Sequence, residues 1–139
     1  MSEKNLLRPK VLSLIATFIL YVICPLLSQS AIAAEAVHGQ YVQTSGDIVT
    51  LHITVSNPAP PNLILEQYFP PGTKVLSTSP KARKIDSQSG MVKWLFKSVS
   101  PGRIIVTMRI EPAIAKRSVN ATLLYRSQRG GMTEHRISR

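Results

Sequence analysis

Ten prolines and recurrent Gly/Ser/Asn clusters cut this chain into short runs, and after residue 40 no run carries an apolar period of 3.6 residues. Period two recurs instead. In DIVTLHITVS (47–56), Val49, Leu51, Ile53 and Val55 alternate with Thr50, His52 and Thr54, which predicts a strand with one buried and one wet face. The same alternation places Val92, Trp94 and Phe96 opposite Lys93 and Lys97 in MVKWLFK (91–97). It also aligns Ile104, Val106, Met108 and Ile110 in IIVTMRI (104–110), and Val119, Ala121, Leu123 and Tyr125 in RSVNATLLYR (117–126). VHGQYVQ (37–43), LILEQYF (63–69), TKVLSTS (73–79) and KARKI (81–85) read as further strands, while MTEHRIS (132–138) is polar enough to be expected at a sheet edge. About seven to nine short antiparallel strands at this spacing predict an all-β sandwich, organised as one domain over residues 37–139.

The breaks between runs have turn chemistry. Asn57-Pro-Ala-Pro-Pro-Asn62 ends the first long strand, because prolines cannot donate to a ladder. In Phe69-Pro-Pro-Gly-Thr73, Pro71 presets a bend and Gly72 supplies a positive φ, so the segment reads as a strand-to-strand corner. Asp86-Ser-Gln-Ser-Gly90 reads as the loop of a hairpin between 81–85 and 91–97. Pro112 is expected to close the 104–110 strand.

The first third is chemically different. Lys4, Arg8 and Lys10 precede VLSLIATFILYVICPLL (11–27), which contains no charge, and SQSAIAAEA (28–36) follows. A positive start, an apolar helical middle and a small-residue end make an export signal over residues 1–33. Ala31 and Ala33 place the cut before Ala34; Ala34 and Ala36 offer a second cut before Val37. The alternative is an uncleaved N-terminal membrane anchor, although the run falls short of the ~20 residues that span a bilayer. Val22 and Ile23 before Cys24 are too large for lipoprotein processing. The expected location is the periplasm or the cell surface.

Cutting before Ala34 removes 33 of 139 residues and leaves 106, with no cysteine, so the domain must fold on its core without disulfides. Taking Lys4, Arg8 and Lys10 from 17 basic residues and Glu3 from 7 acidic ones leaves 14 against 6, a net +8. That balance favours anionic surfaces such as lipid headgroups or an acidic envelope polymer, and export disfavours nucleic acid.

Four segments in order resemble a known family. GDIVTLHITVSN, FPPGTKVLSTSP, IDSQSGMVKWLF and VSPGRIIVTMRIEP are similar to successive motifs of an Ig-like repeat domain of unknown function found in bacterial and archaeal cell-surface proteins. The resemblance spans roughly residues 45 to 125. It implies an Ig-like β-sandwich in an envelope protein, with no catalytic residues to carry over. This chain departs from the family's usual tandem, acidic setting in being single and basic, which points to a small periplasmic binding partner rather than a stalk segment.

Candidate sites are few. The histidines are His38, His52 and His135, and the chain's one cysteine lies in the export segment. No Ser-His-Asp order, nucleophile elbow or phosphate loop is present, so no enzyme and no cofactor are expected. His38 and His135 lie near opposite ends of the domain and could meet in space, but without a carboxylate cluster in the sequence no metal site is expected. Trp94 could stack on a sugar, yet its phase with Val92 and Phe96 assigns it to the core. Lys81, Arg83, Lys84, Lys93 and Lys97 form the candidate anion-binding surface, against the plainer reading that strand lysines deter aggregation. Met132, Glu134 and Arg136 mark the candidate edge for a partner. The leading expectation is a non-enzymatic interaction module that binds an envelope or surface protein by a sheet edge or end loops; the alternative is attachment to an acidic polymer or lipid surface.

Overall fold

Residues Glu35–Arg139 form one compact unit. The computed structural model describes residues 35–114, 119–128 and 130–138, and the expected export segment lies outside them. No helix among the described residues is long and apolar enough to cross a membrane.

This unit is all-β. Its elements are β1 (Val37–Val55), β2 (Asn62–Tyr68), β3 (Lys74–Ser79), β4 (Lys84–Asp86), β5 (Met91–Lys97), β6 (Gly102–Ile114), β7 (Asn120–Arg126) and β8 (Met132–Ile137). An extended strand as long as β1 would hold its ends about 60 Å apart. The Ser56 N–H nevertheless donates to the Ala36 carbonyl at 2.8 Å, so β1 doubles back on itself. Gly46, at φ 83°, sits midway, where a left-handed residue lets the chain reverse. The two arms correspond to the separate strands expected at 37–43 and 47–56.

Two antiparallel sheets result, ordered β1-β6-β3 and β4-β5-β2-β7-β8. Their inner faces share one core. Leu51, Ile53 and Met108 of the first sheet meet Leu63, Leu65, Val92 and Leu123 of the second, all fully buried. Each such side chain contributes roughly 1.5–3 kcal/mol on leaving water. The expected β-sandwich is therefore present, and the inward faces of β1, β5, β6 and β7 are those that period two assigned.

Trp94 is 1% exposed, and its indole N–H donates to the Pro80 carbonyl at 2.9 Å. It is a core residue and has no face free for a ligand. The Pro-Pro-Gly corner carries the chain from β2 to β3, and so from one sheet to the other. The Thr73 backbone N–H and hydroxyl both donate to the Pro70 carbonyl, at 3.2 and 2.8 Å, while Gly72 takes φ 86°. The β4–β5 loop closes as expected: Asp86 Oδ1 accepts from the Gln88 and Ser89 N–H groups, and Gly90 sits at φ 67°.

Two boundaries differ from the sequence reading. The arm before the hairpin is shorter than 81–85. Pro80 has no N–H to offer, and the Ala82 N–H goes to Thr78 Oγ1, so pairing with β5 starts only where the Arg83 N–H reaches the Lys93 carbonyl. Pro112 does not close its strand either. β6 runs on to Ile114, and its pairing with β1 jumps from Arg109↔Ile48 to Ile114↔Gly46. Pro112 occupies that irregular stretch, where a missing N–H breaks no regular ladder.

Candidate functional site

Alternation gives the five-stranded sheet an outer face. The register lines up Lys84, Lys93, Glu66, Thr122 and Arg136 across all five strands, in the order β4 to β8. Beside this row runs an apolar one, Leu95–Ile64–Leu124, that ends at Glu134.

The basic group expected here is partly neutralised. Lys93 does point outward, and Lys84 lies directly across from it, but Lys93 Nζ donates to Glu66 Oε1 at 2.7 Å. That bond holds the Glu66 carboxyl below its ordinary range, helped by the Tyr68 hydroxyl at 2.8 Å and opposed by burial. The same contact, with burial, pushes the Tyr68 hydroxyl upward. Lys84 approaches Asp86 at 3.9 Å. Lys81, Arg83 and Lys97 are exposed and make no ion pair among the described residues. The five cations thus split into two engaged with carboxylates and three facing water.

β8 ends its sheet, as its polar sequence suggested. Met132, Glu134 and Arg136 all face outward, Met132 at 64% exposure, and Arg136 Nε donates to Glu134 Oε1 at 2.9 Å. An open groove of ≈ 640 Å³ lies over the outer face of β2, β7 and β8. Leu124 of the apolar row lies at its floor, with Glu66, Tyr68, Glu134 and Arg136 among the residues that line it. Both signs of charge and an apolar floor suit a polypeptide better than a polyanion. Ile137 by contrast turns into the core, so β8 is both an edge and a structural element.

Two arrangements go beyond what the sequence settled: one it did not flag, the other a histidine pair it raised without the carboxylate that joins it. The first is Gln67, fully buried at an inward position of β2 between Leu65 and Phe69. Its Oε1 accepts from the Tyr41 hydroxyl at 2.7 Å, and its amide donates to the Tyr68 and Asn120 carbonyls at 3.0 Å each. Burial raises the Tyr41 pKa far above the tyrosine norm. A polar residue in the buried phase of LILEQYF was the available signal.

The second is at the domain's N-terminal end. His38 and His135 do meet, with ring centroids 5.4 Å apart at 61°, and Glu35 joins them. His135 Nδ1 lies 2.7 Å from Glu35 Oε1. Glu35 stands three residues before His38, but its meeting with His135 depends on the fold. His52, the remaining histidine, is half-buried opposite Ile105 on the outer side of the other sheet.

Compared with protein-family models and with curated proteins, the sequence matches neither.

Proposed function

We propose that this protein is an exported, non-enzymatic interaction module of the cell envelope that captures a polypeptide partner along β8. The observation that carries this reading is the position of β8: it terminates a five-stranded sheet, and its outward Glu134 and Arg136 also line the groove that runs over β2 and β7. An edge strand presents backbone N–H and C=O groups to an added strand, which supplies affinity, while alternate side chains supply specificity. The export-type N-terminal segment and the resemblance to an Ig-like repeat of surface proteins support the compartment and the class.

Removing the chain from Gly130 onward would also remove core residue Ile137, so outward substitutions make the cleaner test. The full-length protein and a Met132→Lys/Arg136→Glu variant are used as bait in an envelope extract. Loss of a wild-type partner with an unchanged circular-dichroism spectrum supports the edge reading, and undiminished capture rejects it. A second reading, attachment to an anionic polymer or lipid surface, rests on the free cations Lys81, Arg83 and Lys97. It requires binding that weakens steeply with salt and disappears when these three become Gln. Binding indifferent to salt rejects it.

A further inference from the structure

We propose that Glu35, His38 and His135 form a binding site for a borderline divalent transition-metal ion, with Zn²⁺ as its representative. One ligand atom from each residue lies within 4.8 Å of the others. Tetrahedral Zn²⁺ with bonds of about 2.0–2.1 Å to nitrogen and oxygen separates its ligands by roughly 3.4 Å. The Glu35–His135 contact at 2.7 Å is a little inside that spacing. The adjustment needed is therefore a small opening of one hydrogen bond and a small rotation of the His38 ring.

The backbone already fixes where the three side chains start. His135 lies on β8, paired with Leu123 of β7. His38 follows Val37, which is fully buried and whose N–H bonds to the Tyr125 hydroxyl. Glu35 precedes Ala36, whose carbonyl accepts from the Ser56 N–H. Beyond these anchors, Glu35 and His38 are exposed and free to turn toward an ion, so closure requires side-chain rotation alone.

Donor chemistry sets the metal class. Two imidazoles and one carboxylate suit Zn²⁺, Cu²⁺ or Ni²⁺, whereas Ca²⁺ and Mg²⁺ call for oxygen-rich shells. Three protein ligands also leave a fourth position for water or for a group from another molecule. A bound ion would tie the start of β1 to the last strand, joining residues 35 and 135 across nearly the whole domain. The interval between them contains no cysteine, so the ion would supply a cross-link that disulfides do not. This inference rests on the fold and is independent of the edge-capture reading.

The test is calorimetric titration of the full-length protein with ZnCl₂, alongside His38→Gln, His135→Gln, Glu35→Gln and, as a control, His52→Gln. The expected result is one ion per chain, an affinity at least about tenfold weaker in each of the three site variants, and no change in the control. The metal should raise the wild-type melting temperature and leave that of His38→Gln unmoved. His38 is exposed, so its variant decides the matter even if His135→Gln fails to fold. Absence of binding, or binding unaffected by His38→Gln, would show that the cluster is only a hydrogen-bonded clasp and overturn the proposal.

Discussion

The buried Tyr41–Gln67 pair gives the most stringent check on the core. Tyr41→Phe removes one hydroxyl and leaves Gln67 Oε1 buried without the 2.7 Å bond that satisfies it. An orphaned acceptor of this kind costs about 1–3 kcal/mol. Gln67→Met keeps the volume but orphans the Tyr41 hydroxyl and deletes the two 3.0 Å bonds to the Tyr68 and Asn120 carbonyls. Its cost is roughly 2–6 kcal/mol, from one unsatisfied hydroxyl and two ordinary hydrogen bonds. In the double variant neither partner of the pair is left behind, and only the two carbonyl bonds are lost, about 1–3 kcal/mol. The double variant should therefore be less destabilised than the sum of the singles by about 2 kcal/mol or more. Urea unfolding followed by the fluorescence of Trp94, the chain's one tryptophan, measures all four proteins. Additivity within about 0.5 kcal/mol would refute the argument that the two groups satisfy each other.

Other outcomes follow from single contacts. Glu66 has a depressed pKa, so its contribution to stability is complete above the ordinary glutamate value and is lost as pH falls through its lower folded value. Between pH 5 and 3 the urea midpoint of the wild type should drop more than that of Glu66→Gln, and matching slopes would contradict the Lys93 bond as a source of stability. Gly72→Ala should cost about 1–2 kcal/mol, since its φ of 86° is strained for an L-residue but no atom lies within 4 Å of the added carbon. Gly90→Ala has the same kind of backbone strain, and its Cβ would also fall 2.5 Å from the Phe69 carbonyl oxygen, so it should be the more damaging by at least about 1 kcal/mol. Equal melting temperatures for the two variants would show that the backbone at Gly90 yields freely.

Local patterns proved readable where one principle acted alone. Period two assigned Val92 and Trp94 of β5, and Val106 and Met108 of β6, to the core because a pleated strand leaves only two faces. Pro-Pro-Gly and the Asp86–Gly90 loop were legible because their geometry is set by residues within four positions of one another. Pro112 misled because proline usually ends pairing, and only the register shows that it falls in an irregular stretch of β6. The pairing within the basic group was hidden for another reason. Lys93 was rightly placed on the outer face, but the carboxylate that engages it sits 27 residues earlier, on a strand brought alongside by pairing.

By itself, then, the sequence determined strand faces, turns and the polar character of β8, all governed by neighbours along the chain. Tertiary structure decided which strands pair, and hence every contact between residues distant in sequence. Glu66 meets Lys93, Gln67 meets Tyr41, and Glu35 and His38 meet His135 because two sheets closed over one core. Side-chain chemistry is written residue by residue, but a site exists only where backbone pairing brings such residues within a few ångströms. That is why the paired lysine and the histidine–glutamate cluster became visible only in the fold.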